Sequence, residues 1–211
     1  MKTIILPLIA SLLSFSANAA LLKTESGTQK MEKIALSPSA TANVDGEEVK
    51  LTEVGAGLRA KKVVFVNVKV YIGELYVADM AKFKKTDALA SLKDQKAVAI
   101  QLHFLRAVDG ENVQKSFKEA LSANSVNLDD ASLKQFLDAV SKGGEAKEGK
   151  ALTILGSRMK DGSEKISYET TSGAVTEIKG SSGLIEKVFS IWLGKPADDG
   201  VAELKKSLLK D

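Results

Sequence analysis

Few side chains in this sequence are equipped for polar chemistry at a site. His103 is the single histidine and there is no cysteine. Thiol nucleophiles, cysteine zinc sites, disulfides, a lipid-anchored N-terminal cysteine and every centre that needs two imidazoles are therefore excluded. His103 shares a strand face with Gln101, opposite the apolar set Val98, Ile100, Leu102 and Phe104, and no acid or nucleophile stands beside it in the sequence. It reads as a partly exposed strand residue. Gly55-Ala56-Gly57 is not followed by a Gly-Lys-Ser or Gly-Lys-Thr and leads into a strand rather than a helix, which argues against a phosphate loop. No metal and no cofactor is expected. No paired carboxylates stand out from the scattered acids. Arg59 follows the glycines and precedes a long apolar strand. Its planar fork of donors suits a carboxylate or a phenolate, and a surface arginine at a turn is the competing reading. Phe117, Phe136, Phe189 and Trp192 fall at helical spacing and read as core rather than as a ligand cage.

The elements that must position these residues follow from patterning. The 211 residues are 44% hydrophobic and 27% charged with a net charge of +3, a globular balance rather than a disordered one. The lysines are scattered among acids, so no nucleic-acid stripe is expected. Lys2, an apolar run from Ile4 to Phe15 and the small-residue site Ala17-Asn18-Ala19 form a three-part secretory signal. This predicts a leader over 1–19, a mature start at Ala20, and residence in a bacterial periplasm or outside the cell. No second apolar stretch is long enough to cross a bilayer. Residues 20–40 read as an extended lead-in with a strand near Met31 to Leu36, and 41–211 as one domain.

Within that domain, Asp45-Gly46 is a hairpin turn before a strand at 48–53, which Gly55-Ala56-Gly57 breaks. The clearest strand is Val63 to Ile72, continuing to Val77, with apolar even positions and a bulge expected at Gly73. A short helix fits Asp87 to Lys93, and a strand Ala97 to Leu105. Asp109, and Asp129 or Asp130, are placed to cap two helices, the second stopped by Gly143-Gly144. Turns at Asp161-Gly162 and Ser172-Gly173 join strands near 151–159, 164–171 and 174–179. Two helices follow, one with Ile185, Val188, Phe189 and Trp192 inward, the other with Val201, Leu204 and Leu208 inward. Strands cluster instead of alternating with helices, which gives an α+β class.

GAGLR at 55–59 followed by VFVNVKVYIGELYVAD at 64–79 resembles the signature of the chalcone isomerase family. LRAVDGENVQKSFKEAL at 105–121 and FSIWLGKP at 189–196 resemble its strand-to-helix passage and late helix. The resemblance covers roughly 48–209 and is nearest to the secreted bacterial chalcone isomerase-like branch. It implies an open-faced β-sandwich, a large antiparallel sheet with helices packed on one side. The family's enzymes use an arginine, a threonine, a tyrosine, an asparagine and a polar residue on the late helix. By position these fall on Arg59, Tyr71, Val113, Ala120 and near Ile191, so only the arginine is kept. Non-catalytic members bind fatty acids, with an arginine and a tyrosine on the carboxylate, and Arg59 and Tyr71 would reproduce that pair. The resemblance thus implies a non-catalytic binder of a small amphipathic anion such as a fatty acid. The alternatives are an isomerase or intramolecular lyase acting on an enone or phenolic substrate, and an interaction protein with a vestigial cleft. Strand parity groups Tyr71 with Lys69, so parity alone does not place Tyr71 in a cleft with Arg59.

Overall fold

The computed structural model describes residues 20–210; the expected leader at 1–19 lies outside them. Eight strands form one antiparallel sheet. In spatial order they are β1 (Lys23–Thr24), β4 (Ser39–Val44), β5 (Glu47–Val63), β6 (Val66–Val77), β7 (Ala97–Phe104), β8 (Ala151–Arg158), β9 (Glu164–Glu169) and β10 (Val175–Gly180). Between β1 and β4, β2 (Lys30–Met31) and β3 (Ile34–Ala35) make a small separate hairpin. The helices are α1 (Ala88–Ser91), α2 (Gly110–Ala123), α3 (Ala131–Lys142), α4 (Leu184–Leu193) and α5 (Asp199–Leu208). The class is α+β, as expected.

One sheet face carries the helices. Val98, Ile100, Leu102 and Phe104 of β7 join Leu75, Ile154 and Ile166 in a single core with the apolar stripes of α2, α3 and α5. Helix α4 lies in the middle of this layer, and Leu184, Ile185 and all of Val188 to Leu193 are buried, which explains why it reads as more apolar than an amphipathic surface helix. The other sheet face curls over a smaller cluster of Ala40, Ala42, Leu51, Tyr76, Ala97 and Ala99, partly closed by Leu22 from the lead-in. Alanines there let the sheet bend tightly on itself.

Turn chemistry in the sequence is realised at several corners. Asp45 and Gly46 both take positive φ, +57° and +82°, as a two-residue hairpin between β4 and β5 requires. Asp130 caps α3 by accepting from Ser132 N and Leu133 N. Asp109 stands at the N-cap of α2, but its carboxylate accepts from the Asn112 side chain, 3.3 Å away, rather than from the helix backbone.

The strand expected near Met31 to Leu36 is instead the β2–β3 hairpin, which turns at Glu32 and Lys33, both at positive φ, +49° and +71°. Three further strand expectations are corrected. Gly55-Ala56-Gly57 does not break the chain; it lies inside the 17-residue β5. A Cβ on Gly55 would sit 2.6 Å from the Leu208 carbonyl oxygen, and one on Gly57 2.7 Å from Ser207 Cβ. These glycines let α5 lie directly on the strand. Second, Val63 to Ile72 is not one strand, because Val64 and Phe65 form the turn between β5 and β6. Third, Gly73 is no bulge: it pairs regularly with Gly57 and Leu102. The irregularities fall instead between Glu53 and Gly55, leaving Val54 over, and between Arg59 and Ala60, where Val70 is the extra residue. Each extra residue switches which face the following positions point to.

Gly55→Ala is expected to destabilise the protein by about 1–3 kcal/mol through this overpacking. The urea midpoint checks it, and an unchanged midpoint would show that α5 can move away without cost.

Candidate functional site

The bulge at Val70 decides where Tyr71 points. Arg59 pairs with Tyr71, whereas Ala60 pairs with Lys69. Cross-strand partners share a face, so Tyr71 faces the same way as Arg59, and Lys69 faces away to bind Glu32. Simple alternation through Lys69 therefore misassigns the tyrosine. Both residues line a cleft of about 460 Å³, within the range of about 300–1,000 Å³ usual for small-molecule sites. Its walls come from the far halves of β5 and β6, the end of β7, α2, α4 and the start of α5.

Val113, Ala120 and Ile191 also line this cleft. The five positions picked out by the resemblance therefore come together in space. Phe117 and Trp192, read from spacing as core, are buried but line the cleft as well; their rings meet edge to face, 5.3 Å between centroids. Phe136 and Phe189 are core alone.

Arg59 is 7% exposed. One guanidinium nitrogen donates to the Ala60 carbonyl, and Nη2 donates to Asp198 Oδ2 at 2.6 Å. Asp198 also caps α5, its Oδ1 accepting from Val201 N at 2.9 Å. Gly200 leaves the guanidinium room, since a Cβ there would lie 2.0 Å from Nη1. Tyr71 Oη accepts from Trp192 Nε1 at 3.1 Å, leaving the phenolic proton to offer elsewhere. Burial raises the Tyr71 pKa, with the Trp192 bond and Arg59 pulling the other way. The residue is thus a neutral donor at ordinary pH, suited to an anion's oxygen and unsuited to act as a base. Basic and acidic side chains are balanced around the cleft: Arg59, Lys61, Arg106 and Lys115 against Asp109, Glu119, Glu145 and Asp198. An anion is therefore held there by directed donors rather than by a net field.

His103 does not enter the cleft. It lies on the opposite sheet face, its Nε2 hydrogen-bonded to Glu74 Oε2 at 2.6 Å. The acid that sequence inspection did not place beside His103 comes from the neighbouring strand. Asp198 was missed as well; the only trace of it in the sequence is a residue in N-cap position before the last helix.

A family model described as chalcone isomerase-like matches residues 28–210. Among curated proteins none matches the chain significantly. Among solved structures, a fatty-acid binding protein of Arabidopsis thaliana superposes with a TM-score of 0.57 at 15% identity, covering 89% of this chain and 100% of that one.

Proposed function

The chain belongs to the chalcone isomerase-like family, and we propose that it acts as an exported, non-catalytic module that binds a small amphipathic anion, with a fatty acid as the ligand class. The observation that carries this reading is the composition of the cleft. Two donors, Arg59 and Tyr71, share it with apolar side chains at Val113, Ala120 and Ile191. A carboxylate exchanges with Asp198 on Arg59 and accepts a hydrogen bond from the Tyr71 hydroxyl, while the acyl chain runs over Phe117 and Trp192. Burying ten methylenes contributes about 8 kcal/mol, against about 4 kcal/mol or more for lost translation and rotation. The tail alone therefore binds weakly, and the head-group bonds, about 1.5–3 kcal/mol each, make the difference. The fatty-acid binding protein that shares the fold agrees in ligand class. The signal over 1–19 supports a periplasmic or extracellular site of action. The test is to purify the exported protein and extract it for mass spectrometry. Co-purifying fatty acid supports the module, and protein that carries no lipid and takes up none counts against it.

The alternative, cyclisation of an enone or phenolic substrate, needs donors aimed at the developing oxyanion. Val113, Ala120 and Ile191 supply none. Chalcone turnover is accordingly expected to be absent, since loss of one aimed donor alone costs about 10²–10³ in rate. An absorbance assay showing efficient turnover that Arg59→Ala abolishes would restore the enzyme.

A further inference from the structure

The far halves of β5 and β6 wall the cleft, but Val64, Phe65 and Val66 at the tip of this hairpin do not line it. Strand β4 pairs with β5 only as far as Thr52, and β7 reaches β6 only at Tyr71. Beyond these points the two strands project as a ribbon whose ladder partners are each other, apart from Val70, whose carbonyl accepts from Leu105 N at 2.8 Å. Its tip exposes Val63 at 51%, Val64 at 77%, Phe65 at 93% and Val66 at 64%. Among the described residues the other exposed large hydrophobic is Met80, at 38%. The tip is also locally unfavourable: Val64 holds φ at +57°, in a turn position that normally takes glycine, asparagine or aspartate and that a β-branched residue avoids. A polar turn would fold more easily. A sequence that breaks its own turn chemistry in order to expose apolar groups marks a functional surface.

We propose that this hairpin docks the protein on a lipid bilayer bearing anionic headgroups. The proposal goes beyond the reading of the cleft and does not rest on it. Charge and position select the bilayer. Lys61 and Lys62 stand at the base of the tip, exposed and without an ion pair among the described residues. Basic residues behind an apolar wedge match the order of charged headgroups above acyl chains. A four-residue tip reaches the interface but not the hydrocarbon centre, where the unpaired ribbon edges would go unsatisfied. Val63 and Lys61 also line the cleft, so the docked wedge would place the cleft mouth against the headgroups.

The test is flotation of the full mature chain with vesicles of equimolar phosphatidylcholine and phosphatidylglycerol, and with phosphatidylcholine alone. Wild type is expected to float with the mixed vesicles and less with the neutral ones. Val64→Asn/Phe65→Ser, whose turn is easier to fold than the native one, is expected to bind at least about tenfold more weakly. Lys62→Glu is expected to lose about fivefold or more on the mixed vesicles only. Phe65→Trp should shift its emission to the blue on vesicles and be quenched by brominated lipid. Wild type that stays with the vesicle-free fraction overturns the proposal. So does Val64→Asn/Phe65→Ser binding as wild type does, or a wild-type dimer that this double substitution dissolves, which would assign the tip to a second copy. Fatty-acid uptake by the double variant reads the cleft separately, because neither Val64 nor Phe65 lines it.

Discussion

Glu74→Ala is expected to lower stability by about 3–5 kcal/mol, the cost of breaking a buried charged hydrogen-bonded group by removing one side of it. Glu74 is fully buried on the face of the sheet away from the helices. Its Oε1 accepts from Ser37 N at 2.8 Å and from the Tyr76 hydroxyl at 3.1 Å, and its Oε2 faces His103. Through Ser37 it ties the lead-in to the central strands. Alanine leaves a backbone N–H and a phenol without an acceptor, each costing about 1–3 kcal/mol. One smaller effect opposes this. Burial, and then the Glu74 charge, raise the pKa of Glu53, so removing Glu74 relieves a like-charge contact. Glu74→Gln keeps an acceptor for Ser37 and Tyr76 and is expected to cost about 1–2 kcal/mol. Urea unfolding at constant slope measures both. Equal midpoints for wild type and Glu74→Ala would contradict the brace.

The second large effect concerns the anchor. Arg59→Ala is expected to weaken fatty-acid binding at least about tenfold, and Arg59→Lys to recover only part, because an ammonium cannot present two parallel bonds. The ion pair with Asp198 adds a test of opposite sign. Bound carboxylate must displace Asp198 from Nη2 and then remain beside its charge. Asp198→Asn removes that competition while keeping a side chain that caps α5 well. It is expected to tighten binding by about tenfold, the size of one lost competing bond. The Asp198 side chain is 41% exposed, so the displaced carboxylate is readily hydrated. Calorimetric titration of all four proteins reads both signs. If Arg59→Ala binds as tightly as wild type, Arg59 is only a brace between β5 and α5.

The sheet and helix order were legible in the sequence because turn signals and apolar periods are local. Asp45-Gly46, Asp130 and Gly143-Gly144 each act within a few residues. The β5–β6 pair was not legible, for two physical reasons. Gly55 and Gly57 read as a turn because nothing nearby shows that Leu208 and Ser207, some 150 positions on, lie against them. The bulge at Val70 leaves no mark on the alternating valines of this strand, yet it sets the direction of Tyr71. Arg59, Tyr71, Val113, Ala120 and Ile191 were named from the resemblance, and they do meet in one cleft. Asp198 and Trp192 complete it through contacts across 139 and 121 positions, which no spacing rule reaches. The Glu74–His103 pair went unseen for the same reason, since its two residues lie on adjacent strands.

Trp192 is the single tryptophan, and it lines the cleft, bonded to Tyr71. Its fluorescence therefore reports directly on whether an acyl anion enters. The decisive measurement is a titration of delipidated wild-type protein with hexadecanoate, followed by Trp192 emission. A saturable change at one ligand per chain, strongly reduced in Arg59→Ala, is the expected result. Emission that stays constant through the titration, with no ligand retained by the protein, would contradict the claim that this cleft holds a fatty acid.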